Sequence, residues 1–328
     1  MNGHSPSRFR SANLISGLMF VALVATGCAS STPASPGSSG LTPPASQTAS
    51  VSAGSPSAAP RASQTASASE LPVAGLHLVV VGDSIPFGGY FCPSCTGFVD
   101  EYAKILQKRS GQQVNVANRS RDDSAGVDSI RDQLTSDASL RAELMQADVV
   151  VLSVGFNNAL PDYGNPPPGG FPPGCDTKAP GIDDEIIAHI VATTPQCNTA
   201  TAAAWTKDYD AIFTAMAGLR TGKPTVFIAL NVYDGNLDNS DIRAAMDAKT
   251  FAATEKVIVD AYDKWNAMLC KQAAAHGFAC IDVYHAFDGP QGTRPAGDLT
   301  VDGAHPSQEG NDLIAALLAK VDVSAVTR

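Results

Sequence analysis

From about residue 76 to the C-terminus, short unbroken apolar runs alternate with longer stretches of helical spacing. Leu76–Val81 is a continuous apolar run with β-branched residues, closed by Gly82. Phe98–Leu106 has helical spacing, Val114–Ala117 is a short strand, and Val127–Leu144 reads as a helix on Ile130, Leu134, Leu140 and Leu144. Asp148–Val154 is a second buried-strand run, followed by a helix over Ala202–Leu219 and a strand over Thr225–Leu230. Ala244–Ala275 carries one or two helices, Phe278–Val283 the last strand and Gln308–Val321 the last helix. A strand that is apolar on both faces must be covered on both faces. The alternation therefore predicts an α/β fold, a parallel sheet between two layers of helices. Such sheets hold their ligands at the carboxyl ends of the strands. Residues 159–200 interrupt the pattern with a Pro/Gly-rich stretch containing Pro166-Pro167-Pro168, read as a long loop. Loops of that length in a compact domain are functional or disordered.

The first 70 residues follow another logic. Met1–Arg10 holds two arginines and no acid, and the apolar stretch Leu14–Ala25 is shorter than the ~20 residues a membrane span requires. Basic, apolar and then small residues make the pattern of a secretory leader, residues 1–27. It ends Ala25-Thr26-Gly27-Cys28, which resembles the lipobox of bacterial lipoproteins, although Leu is usual where Ala25 stands. The resemblance implies that Cys28 is lipidated and becomes the new N-terminus. The rest of residues 28–70 is almost wholly Ser, Ala, Pro, Thr, Gly and Gln. It cannot bury enough surface to offset the entropy of ordering and reads as a tether. Residues 71–328 then suit one α/β domain. The expected location is outside the cell, on the membrane through the lipid, or free if Cys28 is unmodified.

Charge narrows the partners. The chain carries a formal −10, and loss of Arg8 and Arg10 with the leader leaves 20 basic against 32 acidic residues, a net −12. No basic cluster survives, which argues against nucleic acid and against electrostatic attachment to an anionic bilayer. Besides Cys28 there are six cysteines, an even number that suggests three disulfides in an exported protein. Grouping along the chain favours Cys92–Cys95, Cys175–Cys197 and Cys270–Cys280. Cys92-Pro93-Ser94-Cys95 also has redox-motif spacing, but outside the cytosol a structural clip is favoured. A zinc site on Cys270, His276 and Cys280 lacks a fourth ligand, so no metal and no cofactor is expected.

Three polar motifs fall beyond strands or ahead of the last helix. Gly82-Asp83-Ser84 follows the first strand, where a Ser on a strand-to-helix turn offers its hydroxyl and its backbone N–H at the sheet rim; alone, it is a common turn. Gly155-Phe156-Asn157-Asn158 follows the strand ending at Val154, and an Asn there either caps a turn or aims an amide donor at an oxyanion. Asp302-Gly303-Ala304-His305-Pro306 precedes the last helix. A hydroxyl needs a base, and a His needs an acid that fixes its tautomer; Asp and His three residues apart supply both. His77 opens a strand, His189 and His276 look helical, and His285 is read as lacking an Asp at this spacing.

The set, in this order, resembles the SGNH (GDSL) hydrolases over most of residues 76–321. That resemblance implies a flavodoxin-like three-layer α/β/α domain and hydrolysis of acyl esters without a cofactor. It assigns Ser84 as nucleophile, His305 as base, Asp302 as its orienting carboxylate, and the Ser84 N–H and the Asn157 amide as oxyanion donors. A third donor, usually a Gly about five residues after an Asn, falls here on Asp123 or Ser124 after Asn118, through the backbone N–H. Asn158 replaces the Asp that often ends the third block. The implied substrate is an acyl ester, of a lipid or, alternatively, of an acylated carbohydrate as in a polysaccharide deacetylase. A third reading is a surface-binding lipoprotein on an inert hydrolase scaffold, against which the intact Ser84, Asp302 and His305 argue.

Overall fold

The computed structural model describes residues 75–88, 91–160, 166–237 and 240–327. The leader, Cys28 and the tether lie outside the described residues. Along the chain run β1 (Gly75–Gly82), α1 (Ser84–Phe87), α2 (Phe98–Ser110), β2 (Gln113–Asn118), α3 (Val127–Ser136), α4 (Ala138–Leu144) and β3 (Val149–Ser153). There follow α5 (Glu185–Ala192), α6 (Pro195–Leu219), β4 (Val226–Leu230), α7 (Ser240–Ala244), α8 (Ala248–Ala275), β5 (Ala279–Ile281), α9 (Tyr284–Asp288) and α10 (Gln308–Leu318). All pairings in the five-stranded sheet are parallel, in the order β2-β1-β3-β4-β5.

The expected three layers follow from alternation within the apolar strands. Val79, Val81, Val150 and Leu152 face one core, packed under α3, α4, α6 and α8. Leu78, Val80, Val149 and Val151 face the other, packed under α2 and α10. Both faces of β1 and β3 are thereby dry, which is why neither strand shows a polar period.

Three segments depart from the sequence reading. The helix expected over Val127–Leu144 is two helices, broken at Asp137, whose carboxylate accepts from the Ser139 and Leu140 N–H groups at 2.9 and 3.0 Å. A side chain that caps a new helix also ends the old one. The helix expected from Ala202 begins at Pro195, where a proline in the first turn loses no hydrogen bond. Residues 159–200 are therefore not all loop: they hold α5, capped by Asp184, and the first turn of α6. The three disulfides Cys92–Cys95, Cys175–Cys197 and Cys270–Cys280 join the expected pairs.

At the carboxyl edge of the sheet the turns after β1 and β3 share one carboxylate. Asp83, 1% exposed, donates its backbone N–H to Ser153 O at 3.1 Å. Its Oδ1 accepts from Ile85 N at 3.0 Å, and its Oδ2 accepts from Gly155 N at 3.2 Å and Phe156 N at 3.3 Å. Gly155 is required at its place. Its φ is +126°, and a Cβ there would sit 2.5 Å from Tyr209 Oη and 2.8 Å from Trp265 Nε1.

Burial raises the Asp83 carboxyl from its ordinary value to about 6, against the N–H bonds from Ile85, Phe156 and Gly155 and the nearby His305. Between pH 3.8 and about 6 the folded protein keeps a proton that the unfolded chain has released. Stability from this group is therefore full in acid and falls as the pH rises through that window. A shift from 3.8 to about 6 is worth about 3 kcal/mol. Urea unfolding of wild type and Asp83→Asn across pH 4 to 7 should show the difference between them moving in the variant's favour by about that amount. A difference that stays flat with pH would contradict the buried, acid-stabilised carboxyl.

Candidate active site

Ser84 opens α1 immediately after Asp83 and is 7% exposed. Because Asp83 holds the Ile85 N–H and the β3 turn together, the Ser84 side chain leaves a backbone fixed on both sides. Its Oγ lies 3.0 Å from His305 Nε2.

His305 is delivered by a tight loop ahead of α10. Val301 N donates to His305 O at 2.9 Å, and Thr300 bridges Pro306. Gly303, at φ +87°, takes the left-handed turn the loop needs. Asp302 Oδ1 accepts from Ala304 N at 3.0 Å and His305 N at 2.7 Å, and Asp302 Oδ2 lies 2.7 Å from His305 Nδ1. Burial opposes charge on Asp302. The bonds from the His305 ring and backbone, the His305 charge and the Ala304 N–H outweigh it and hold the carboxyl below its ordinary value. Tyr233, from the segment after β4, donates its hydroxyl to Ala304 O. The tautomer that satisfies every contact carries its proton on Nδ1, donated to Asp302, and leaves Nε2 to accept from the Ser84 hydroxyl.

His285, against expectation, does have an Asp three residues before it. Asp282-Val283-Tyr284-His285 has the same three-residue spacing as Asp302–His305 and closes the same pair: Asp282 Oδ2 lies 2.7 Å from His285 Nδ1, and Asp282 Oδ1 accepts from His285 N at 3.1 Å. Spacing alone does not select His305. The Ser84 hydroxyl at its second ring nitrogen does.

Asn157 and Asn158 bind the loop before α3. The Asn157 amide donates to Ala125 O at 3.1 Å, and the buried Asn158 Oδ1 accepts from Val127 N at 2.9 Å. An amide nitrogen has two hydrogens, so Asn157 has a second beyond the one given to Ala125 O. The segment before α3 runs on from β2 along β1, with Arg119 N on Val80 O at 2.7 Å and Arg121 N on Gly82 O at 3.0 Å. Asp123 is exposed, and its carboxylate is paired with the Arg121 guanidinium, whose hydrogen bonding holds it below its usual range. Ser124 has φ +57°, the one non-glycine residue with positive φ among the described residues. Ser124, one of the two residues that fall where a Gly was expected, thus has a backbone conformation that a Gly adopts readily.

The zinc alternative is excluded by bonding: Cys270 and Cys280 are joined to each other, and His276 Nε2 meets Asp210 Oδ1 at 2.9 Å. Two features escaped the sequence reading. The reach of Asp83 to Gly155 and Phe156 had a signal in the acid that directly follows an apolar strand. The other is Phe91, whose ring stacks flat on His305 with centroids 3.4 Å apart and planes 3° off parallel; nothing in the sequence around it pointed to this contact.

Among solved structures, a lipase from a goat rumen metagenome is 16% identical over 75% of this chain and 97% of its own, with a TM-score of 0.51. The acetylxylan esterase of Geobacillus stearothermophilus is 16% identical over 76% and 96%, with a TM-score of 0.47. An α/β hydrolase from the metagenome of Lake Arreo is 21% identical over 77% and 97%, with a TM-score of 0.44. The first of these supports the fold. No curated protein matches the sequence. A family model described as GDSL-like lipase/acylhydrolase matches residues 80–313, from the end of the strand before Ser84 into the helix that follows His305. With that match over most of its length, the chain belongs to the GDSL-like lipase/acylhydrolase family.

Proposed function

We propose that the domain hydrolyses acyl esters through a covalent acyl-enzyme on Ser84. The observation that carries this is the continuous line of contacts from Ser84 Oγ through the His305 ring to Asp302, at 3.0 and 2.7 Å. Ser84 attacks the ester carbonyl while His305 Nε2 takes the hydroxyl proton. Asp302 holds the tautomer and stabilises the imidazolium. The tetrahedral oxyanion is met by the Ser84 N–H, by the second hydrogen of the Asn157 amide and by the backbone N–H of Ser124 or Asp123. His305 returns its proton to the leaving alcohol. Water, deprotonated by the same ring, then releases the acid and restores Ser84. Every proton taken is returned within the cycle, and no further co-reactant is needed.

A fluorophosphonate should label Ser84, and Ser84→Ala should abolish both labelling and turnover of a nitrophenyl ester. Peptide mapping that finds the label on another serine would overturn the assignment, and an inert wild type would favour the surface-binding reading.

The Asn157 role separates two behaviours. A donor fixed before reaction acts mainly on the charged transition state, so Asn157→Ala should reduce kcat by about 10²–10³ with little change in KM. If the amide serves only to tie the Ala125 loop, the variant will instead melt earlier and keep its kcat.

The Ala25-Thr26-Gly27-Cys28 end of the leader supports a second part of the reading, export with a lipid on Cys28. Cys28→Ser should move the protein from the membrane fraction to the medium; retention of the variant would rule out a single anchor there.

A further inference from the structure

We infer that Phe91 and the Cys92–Cys95 clip form the wall of the acyl site and confine the enzyme to short acyl groups, acetyl foremost. The inference rests on the Ser84 acyl-enzyme proposed above. Beside Ser84 lies a small crevice of about 10 Å³, partly open to solvent. Besides Ser84 and His305 its lining includes Ile85, Phe91, Cys92, Cys95, Pro306 and Asn311. An aromatic ring, a disulfide and an aliphatic side chain make this lining a place for carbon and not for sugar hydroxyls.

The wall is fastened, and that decides what fits. At one end, Phe91 lies in van der Waals contact across the whole face of the His305 ring, so nothing passes between them. Four residues span the disulfide, and Cys95 N donates to Cys92 O at 2.9 Å, which leaves the clip little freedom. At the other end, Thr96 N donates to Gln308 Oε1 and Phe98 N to Asn311 Oδ1, each at 2.8 Å. Gln308 and Asn311 belong to α10, the helix that directly follows His305. Wall and base are thus tied to one helix. The Asn311 amide is itself occupied by Pro306 O and Ser307 O, at 3.2 and 2.8 Å. A methylene contributes binding energy only where it can be buried, and one that pushes Phe91 aside also moves the ring that must take the Ser84 proton.

The test is a series of nitrophenyl esters from acetate to octanoate, run on wild type, Phe91→Ala and the double variant Cys92→Ala/Cys95→Ala. A parallel series of acetates varies only the alcohol. Wild-type kcat/KM should fall at least tenfold from acetate to octanoate, and Phe91→Ala should raise the octanoate-to-acetate ratio by about tenfold or more. The ratio is unaffected by a uniform loss of activity from a less well-held His305. Phe91 is half-buried, so its truncation should be tolerated; if it is not, the double cysteine variant should shift the ratio the same way. A wild type that prefers octanoate, or a ratio unchanged in both variants while Ser84 is still labelled, would overturn the wall. So would a change confined to the alcohol series. Loss of fluorophosphonate labelling in wild type would mark a different failure, that of the acyl-enzyme itself.

Discussion

The carboxylate of Asp83 is the constraint on which the catalytic end of this domain depends. Neighbouring parallel strands leave their carboxyl ends as free turns, and the chemistry requires the turn after β1 and the turn after β3 to hold a fixed distance. One buried side chain does this by accepting from the first turn of α1 and from two successive N–H groups after β3. Burying the charge is unfavourable, and the raised carboxyl pKa measures that. A protein that places such a group in its core trades stability for geometry. Here the geometry places Ser84 and the Gly155-Phe156-Asn157 turn relative to each other.

The second turn-level device is the Asp-x-x-His loop, and its repetition in the same chain is instructive. Asp282–His285 and Asp302–His305 use the same local bonds: a carboxylate that accepts the His backbone N–H with one oxygen and meets the ring with the other. Such a pair forms wherever the loop allows and says little about function. A dyad becomes a candidate base only where the sheet brings a hydroxyl to its other nitrogen. Here the hydroxyl comes from a residue 221 positions earlier in the chain.

Features carried by a short stretch of sequence were legible: the apolar strands, the three polar motifs in their order and the pairing of neighbouring cysteines. Contacts between distant segments were not. Nothing local to Phe91 announces a stack on His305, and nothing local to Tyr233 announces a bond to Ala304 O. The break at Asp137 lay within reach. An Asp inside an apolar-periodic stretch is a helix start as well as an interruption, but periodicity ran on across it and masked the cap. The Gly expected about five residues after Asn118 shows the reverse case. Residue identity departed from the pattern, while the backbone of Ser124 has a positive φ that a Gly adopts readily.

The disulfides close loops between near neighbours, with separations of 3, 22 and 10 residues. None crosses another along the chain, and none spans the sheet from first strand to last. A chain delivered N-terminus first into an oxidising space can therefore form each bond as soon as its second cysteine emerges, before any later segment has arrived. For a chain so delivered, each cross-link would close between cysteines that emerge together, ahead of the slow long-range pairings of the parallel sheet.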